Sequence, residues 1–357
     1  MKAPIGERAG GVALLACSFL GGCLQLGPRS VRRDQFDYST AVADAWKDQM
    51  LLNIVKLRYA DVPVFVDVAQ IVSGYSLETT VDAGGSLGSG SGDNILSLGA
   101  GSTFTDRPTL TYTPKTGNQF LKALMVPIDP TALFLLVQSG YNARFIFEWA
   151  LESVNGVRNR SAVAGAVREP DPDFERLMDM ISKAQFAGAF GVRVEQDEAR
   201  KESTVIFFRR ENLGPEAQAF VDEAKGIMGF APDRDRFLVV FSPVRGGSDE
   251  LSVQTRSILQ VLIAMGMFIE APEEHVASGR ALPGASGAGP ASWPLRIHSG
   301  KDEPADAFAA IRYDQHWFWI DHDDLVSKRA FFLVTFLFAL SETGGGQGAP
   351  VLTIPTG

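Results

Sequence analysis

The sequence predicts a mixed α/β fold of the α+β type, with antiparallel or mixed sheets, packed amphipathic helices and one long Gly/Ser-rich β-hairpin. Apolar residues recur at helical spacing in several segments and at alternate positions in others, which are the periods of helices and strands. The chain has 357 residues and is 45% hydrophobic. It therefore has enough apolar surface for substantial cores.

Changes in composition divide the chain into six predicted segments. In chain order they are a leader (1–22), a tether (23–36), an N-terminal α+β domain (37–160), an α/β domain (170–276), a flexible Gly/Ala/Ser/Pro-rich linker (277–292) and a C-terminal hairpin, helix and strand (293–357). We expect the last segment to pack on the domain before it.

The leader has the three parts of a secretory signal peptide. Lys2 and Arg8 supply its positive start, and residues 9–20 form an apolar and small-residue run. This run is shorter than the roughly 18 apolar residues that indicate a membrane-spanning helix. It ends in Leu20-Gly21-Gly22-Cys23, where the small residues fit a peptidase cleft.

This four-residue motif resembles the lipobox of bacterial lipoproteins. In that family the cysteine thiol receives a diacylglycerol, the leader is cut before the cysteine, and the new amine is acylated. The resemblance implies cleavage between Gly22 and Cys23 and lipidation of Cys23, and two or three acyl chains anchor a protein stably. In enterobacterial lipoproteins an Asp after the cysteine favours the inner membrane. Leu24 stands there, so the resemblance favours the outer membrane, facing the periplasm.

Two alternatives to lipidation stay open. The leader is a plain signal peptide followed by an incidental cysteine, or it is an uncleaved N-terminal anchor. An intact mass of the mature N-terminus distinguishes them from the lipidated form.

Charge and cysteine content exclude several functions. Without Lys2, Arg8 and Glu7 of the leader, the 33 Lys and Arg fall to 31 and the 42 Asp and Glu fall to 41, a net charge of −10. This charge has the wrong sign for nucleic acid or anionic lipid. Cys17 leaves with the leader and Cys23 carries lipid, so no thiol remains for catalysis, metal binding or a disulfide. We expect no nucleic-acid partner and no cofactor.

The first predicted helix spans residues 39–59, with Ser39 as its cap and Pro63 beyond its end. Its apolar stripe consists of Val42, Trp46, Met50, Ile54 and Leu57, widened by Leu51, Leu52 and Val55. Such a stripe is typical of a helix that faces a core. Residues 24–36 lack this pattern and are predicted to be a solvated tether, and residues 64–68 are predicted to form a strand.

Residues 74–106 predict a long β-hairpin with a flexible tip. Tyr75, Leu77, Thr79 and Val81 alternate with polar or small neighbours, residues 84–92 are mostly Gly and Ser, and alternation resumes from Leu96. Two interpretations stay open. The hairpin lies exposed or at a sheet edge, or it inserts into a membrane together with hairpins from other copies, which requires a homo-oligomer.

The rest of the chain alternates between helical and strand patterns. The predicted elements are a strand at 109–113, helices at 120–125, 130–137, 145–154 and 173–186, strands at 192–195 and 204–208, a helix at 215–228, a strand at 237–241, a helix at 249–269, strands at 295–298, 308–313 and 316–320, a helix at 324–340 and a strand at 351–354. The polar residues 156–171 mark a candidate domain boundary. The apolar run 330–340 is too short to span a membrane and predicts a core helix.

The densest group of candidate metal ligands lies at residues 316–324. His316, His322 and Asp323 are weak candidates because their residue types bind metals. Strand alternation, however, places His316 and Asp321 on opposite faces, and the acidic residues precede a helix, where they act as caps. We therefore predict helix capping here rather than a metal site.

A second group, Glu270, Glu273, Glu274 and His275, lacks the two-histidine spacing of a zinc-protease helix. We predict a solvated acidic turn. His298 is predicted to be an ordinary strand residue. The chain has four histidines and no Gly-x-Ser-x-Gly elbow, so we find no catalytic signature and predict no enzymatic activity.

Three stretches resemble a family of uncharacterised proteobacterial lipoproteins. They are residues 51–59 (LLNIVKLRY), residues 107–114 (RPTLTYTP), and residues 317–320 (WFWI) with Asp324, Ser327 and Lys328. The resemblance implies no activity or ligand.

The sequence thus predicts a lipid-anchored cell-envelope protein that binds or scaffolds other components, with an envelope protein or another copy of itself as partner. One alternative is a subunit of an oligomeric outer-membrane pore or assembly that uses hairpin 74–106. A second alternative is a hydrolase of envelope material, for which the sequence offers no site.

Overall fold

The computed structural model describes residues 26–72, 75–86, 95–106, 109–115, 118–163, 166–196, 202–209, 211–285 and 294–341. Its contacts divide the chain into two compact units. One unit comprises residues 64–122, and the other comprises residues 1–63 and 123–357. The α+β class predicted from the sequence is confirmed.

The helices of the described residues are α1 (Leu26–Arg58), α2 (Asn118–Met125), α3 (Pro130–Gln138), α4 (Ala143–Ala150), α5 (Pro172–Phe186), α6 (Pro215–Met228), α7 (Ile258–Gly266), α8 (Glu273–Ala277) and α9 (Leu325–Ser341). None of these helices combines the length and the apolar character needed to cross a membrane.

The strands of the same residues are β1 (Phe65–Val72), β2 (Tyr75–Ser86), β3 (Ile95–Asp106), β4 (Thr109–Lys115), β5 (Leu151–Val154), β6 (Val157–Arg158), β7 (Ser161–Val163), β8 (Ala166–Arg168), β9 (Phe190–Gln196), β10 (Glu202–Phe208), β11 (Arg236–Phe241), β12 (Glu250–Thr255), β13 (His298–Gly300), β14 (Ala307–Tyr313) and β15 (His316–Asp321).

The larger unit is built on a six-stranded mixed sheet in the order β6-β5-β12-β11-β10-β9. Strands β11 and β12 are parallel, and the other neighbours are antiparallel. Helices α5 and α6 pack together, and α4 contacts α5. Phe174 and Leu177 of α5 and Phe237 and Val253 of the sheet have no exposed surface, so they form the centre of this core.

A second part of the larger unit joins the two ends of the described chain. Strands β13, β15 and β14 form an antiparallel sheet in that order. Helix α1 contacts β14 and α7, and α9 contacts α7. Met50, Leu51, Ile54 and Val55 of the predicted α1 stripe are completely buried, so this stripe faces the core as predicted.

The smaller unit contains the predicted long hairpin, which is confirmed. Strands β2 and β3 pair over twelve positions, from Tyr75 with Asp106 to Ser86 with Ile95. Strands β1 and β4, predicted as separate strands, pair with each other and end in the pair Val72 with Thr109. The predicted tip lies largely at residues 87–94, outside the described residues.

The predicted tether is wrong from Leu26 onward, because α1 begins there rather than at Ser39. Pro28 lies in the first turn of α1, where the missing N–H costs no intrahelical hydrogen bond. Residues 35–41 of α1 are mostly exposed, so this part of the helix has no apolar periodicity that the sequence pattern could detect.

Two predicted helices are partly wrong. Residues 145–154 divide into the end of α4 and strand β5, and residues 249–269 divide into strand β12 and helix α7. In both places the apolar residues of a buried strand continue the apolar run of a helix, and periodicity alone does not separate the two.

The predicted domain limits differ from the compact units. Strand β5 belongs to the predicted N-terminal domain, but it pairs with β12 of the predicted α/β domain, so the two share one sheet. The described part of the predicted linker is also anchored. Leu282 N–H donates to the Arg58 carbonyl at 2.9 Å, and Ala285 N–H donates to the Met267 carbonyl at 3.0 Å. Residues 286–292, like the predicted strand at 351–354, lie outside the described residues.

Candidate functional site

A cavity of about 380 Å³ lies in the larger unit and is lined by residues of α4, α5, α7 and α9. Small-molecule sites typically enclose about 300–1,000 Å³. Its apolar lining is formed by Trp149, Ala264, Met267, Phe268, Pro294 and Val326. Its polar lining is formed by Arg144, Glu148, Asn159, Arg160, Ser161, Glu175 and Arg256. The cavity is therefore amphipathic.

Helix α4 supplies an ion pair to the polar side. Arg144 Nε donates to Glu148 Oε1 at 2.6 Å, one helical turn away, and Arg144 Nη2 donates to Glu175 Oε2 at 2.9 Å. Burial raises the pKa of Glu148, and Arg144 offsets part of that rise. A charged residue with a shifted pKa in an amphipathic cavity is typical of a ligand-binding site.

Arg256 connects the segments that form one wall of the cavity, which are the end of α4 and the residues before β7. Its side chain is 4% exposed. Nε donates to Glu152 Oε2 at 3.1 Å, Nη1 donates to the Trp149 carbonyl at 3.2 Å, and Nη2 donates to the Arg160 carbonyl. Burial lowers its pKa, and Glu152 opposes that effect. The guanidinium thus ties the end of α4 to the segment before β7.

A tight turn at Asn155-Gly156 brings these segments together. Asn155 (φ 44°) and Gly156 (φ 81°) both have left-handed backbones, which a two-residue hairpin of this type requires. Asn155 Nδ2 donates to the Met228 carbonyl at 2.9 Å, and Asn155 Oδ1 accepts from the Ser252 N–H at 2.6 Å. Asn-Gly is a strong hairpin signal in a sequence. It was the local signal from which the turn between β5 and β6 could have been predicted.

The weak metal candidates do not come together. His316 is buried at the start of β15, whereas His322 and Asp323 are exposed beyond its end. Burial alternates along β15 and puts His316 and Asp321 on opposite faces, as predicted. Asp324 accepts from the Ser327 N–H at 3.0 Å and from the Ser327 hydroxyl at 2.6 Å, which confirms the predicted capping of the last helix.

His316 instead lies beside the second predicted group. Glu274 Oε1 is 3.7 Å from His316 Nε2 and 3.9 Å from His275 Nε2. His275 is 1% exposed, so the prediction of a solvated turn is wrong for this residue. Burial, followed by the charges of Arg280 and His316, lowers the pKa of His275. The sequence did not reveal this trio because residues 274–275 and 316 are far apart in the chain.

His298 is placed on a strand, as predicted. Its Nδ1 lies 2.8 Å from Glu270 Oε2 and its Nε2 lies 3.0 Å from Asp321 Oδ2. Both ring nitrogens are therefore engaged by carboxylates, and the ring holds β13 to the end of β15. Cys23 and the predicted cleavage site lie outside the described residues.

A comparison of the chain with models of known protein families found no match, and comparisons with curated proteins and with solved structures found none either.

Proposed function

We propose that the protein is a binding protein of the cell envelope, anchored in the outer membrane through lipid on Cys23 and facing the periplasm, and that the cavity beside α4 receives its ligand. The observation that carries the binding role is the cavity itself. It combines the volume of a small-molecule site with an apolar lining and a small number of charged groups. The proposed role is binding rather than catalysis.

The lining indicates a ligand with an apolar body and an anionic end. Trp149, Met267 and Phe268 offer apolar surface to the body. The Arg160 guanidinium lies 5.5 Å from the centre of the Phe268 ring, so a cation stands directly beside that surface. The side chain of Arg160 is 31% exposed, and its Nη2 pairs with Glu169 Oε2 at 3.2 Å. A guanidinium has five N–H donors in a fixed fork, so this pair leaves donors for a carboxylate or sulfonate.

The test is a titration of the full chain with anilinonaphthalene sulfonate, a fluorescent probe with an apolar body and one anionic group. We expect saturable binding of one equivalent to the wild type. Ala264 lines the cavity on α7, and Ala264→Phe places a ring in that space. This substitution is expected to weaken binding at least about tenfold, because the apolar contacts of the probe are lost.

The matched control is Ala217→Phe. Ala217 is also a half-buried helical alanine, on α6 and outside the cavity lining, and its replacement is expected to leave the affinity unchanged. Equal affinity of Ala264→Phe and the wild type, with circular dichroism showing that both are folded, would contradict the proposed site.

The anchor has its own test. Cys23→Ser removes the thiol that receives the lipid, so we expect the variant to lack the mass of the acyl chains on which stable attachment rests. Intact mass of the wild-type N-terminus is expected to show a lipidated Cys23 at position 1 of the mature chain. An unmodified Cys23 in the wild type would contradict the anchor.

A further inference from the structure

The trio formed by Glu274, His275 and His316 brings three metal-ligand types to one place. Glu274 and His275 lie on the short helix α8, and His316 begins β15. Glu274 Oε1 and the two imidazole nitrogens lie within 4.8 Å of one another. The two rings meet edge to face, with centroids 4.7 Å apart.

The hydrogen bond of His316 Nδ1 indicates which nitrogen of the ring faces the trio with a lone pair. His316 Nδ1 lies 3.2 Å from the carbonyl oxygen of Asp314. A carbonyl oxygen only accepts, so Nδ1–H is the donor, and Nε2 of the neutral ring carries a lone pair. That nitrogen is the one that faces Glu274. Metal-binding histidines typically hold their second nitrogen in this way.

His275 also has polar partners at Nδ1, with Asp314 Oδ2 at 3.7 Å. Its Nδ1 lies 2.7 Å from the Tyr59 hydroxyl, which can accept the Nδ1 proton and leave the lone pair on Nε2. The nearest cation, Arg280, is held by Asp314 at 3.1 Å, and this pairing limits its repulsion of a bound cation.

The turn before His316 is held in an uncommon backbone conformation. Asp314 (φ 43°) and Gln315 (φ 67°) both have left-handed backbones without being glycine. These residues form the two-residue turn of the β14–β15 hairpin, which requires left-handed backbones at both positions. Here the turn places both the Asp314 carbonyl and His316 beside α8.

We propose that Glu274, His275 and His316 bind a divalent transition-metal ion of the zinc class, through one carboxylate oxygen and two Nε2 atoms, with the fourth position open. Two imidazoles and a carboxylate form a ligand set that zinc accepts, at distances of about 2.0–2.2 Å. Tetrahedral ligands at those distances lie roughly 3.3–3.5 Å apart. The carboxylate of Glu274 is 61% exposed, so it is free to close the few tenths of an ångström by which its 3.7 and 3.9 Å contacts exceed this spacing. The two ring nitrogens lie within 4.8 Å, so the rings also move toward each other when the metal binds.

The test is a titration of the purified full chain with Zn²⁺, followed by isothermal calorimetry, after removal of metal with a chelator. We expect one Zn²⁺ per chain. Glu274→Gln and His316→Gln each remove one ligand, and each is expected to weaken binding by at least about tenfold, the loss seen when even a supporting residue of a metal site is removed. Titration with Co²⁺ is expected to give the visible absorption of a four-coordinate site, and both variants are expected to lose it.

Two matched controls stand next to these residues. Glu273 is exposed on the same helix, and His322 is exposed beyond the other end of β15. Glu273→Gln and His322→Gln are expected to bind Zn²⁺ like the wild type. Because Glu274 is exposed, Glu274→Gln is not expected to impair folding, so this variant stays informative if His316→Gln unfolds. The proposal is overturned if the wild type shows no saturable Zn²⁺ binding, or if Glu274→Gln binds Zn²⁺ as tightly as Glu273→Gln does.

Discussion

At the scale of single residues, Arg256 is the group on which the cavity wall depends most. Arg256→Met keeps much of the side-chain volume but removes the charge. Glu152, whose side chain is 15% exposed, then loses a partner, and the Trp149 and Arg160 carbonyls lose a donor. Removal of one partner from a buried ion pair costs about 3–5 kcal/mol when the other charge is left unpaired. Glu152 keeps an ion pair with Arg168 at 2.7 Å, so the expected cost is that of the lost charged hydrogen bonds, about 2–3 kcal/mol. We expect a loss of that size in the free energy of unfolding, measured by urea denaturation.

Arg176 provides the control for this prediction. Its side chain is 61% exposed, and it forms ion pairs with Asp173 and Glu223 at the surface. Exposed ion pairs contribute at most about 1 kcal/mol, so Arg176→Met is expected to change the free energy of unfolding by no more than that. If Arg256→Met is as mild as Arg176→Met, Arg256 does not hold the wall.

At the scale of elements, the end of α1 offers a stabilising substitution. Asp61 N–H donates to the Lys56 carbonyl at 2.8 Å, and Ala60 N–H donates to the Leu57 carbonyl at 3.2 Å. These two hydrogen bonds define a Schellman motif, whose residue after the cap has a left-handed backbone. Ala60 occupies that position with φ 55°, where an L-residue with a Cβ costs roughly 1–2 kcal/mol.

Ala60→Gly is therefore expected to raise the free energy of unfolding by about 1 kcal/mol, because glycine adopts this conformation without the steric cost. The same substitution inside a helix has the opposite sign. Ala219→Gly, at an exposed position of α6, is expected to lower the free energy of unfolding by about 1 kcal/mol. Thermal and urea denaturation of both variants measure the difference, and a destabilising Ala60→Gly would contradict this account of the helix end.

Local signals in the sequence account for most of the elements. Helix α6 begins and ends at the predicted residues, since Pro215 stands at its first position and Gly229 takes the left-handed conformation at its end. The helix predicted at 249–269 was wrong even though a local signal was present. Ser257 and Gln260 form a capping box. Because Ser-x-x-Gln marks a helix start, this motif indicates that α7 begins at residue 258.

At the scale of the whole molecule, the features that the sequence did not predict arise where distant segments of the chain come together. The predicted domain boundary near residue 160 falls between segments that share a sheet, since β5 pairs with β12 about a hundred residues later. The cavity is likewise formed by segments that are distant from one another in the chain. Its lining comes from residues 144–161, 175, 256–268, 294 and 326, and no local pattern connects these stretches. The metal trio likewise joins two groups that the sequence presents separately.

The hairpin formed by β2 and β3 bears on the oligomeric alternative. In the described part of the chain, β2 and β3 pair only with each other, and a two-stranded hairpin is marginally stable alone. Pairing of these edges with other copies stays a prediction, as does the pore or assembly that would use it. The proposed ligand site in the cavity does not depend on whether the hairpin pairs with other copies.

The central claim is that the cavity beside α4 holds a small ligand, and native mass spectrometry tests it most directly. The purified full chain is incubated with a small-molecule extract of the periplasm and then measured intact. We predict a mass increase corresponding to one bound molecule for the wild type and for Ala217→Phe, and no such increase for Ala264→Phe. The same increase in Ala264→Phe, or none in the wild type, would contradict the account.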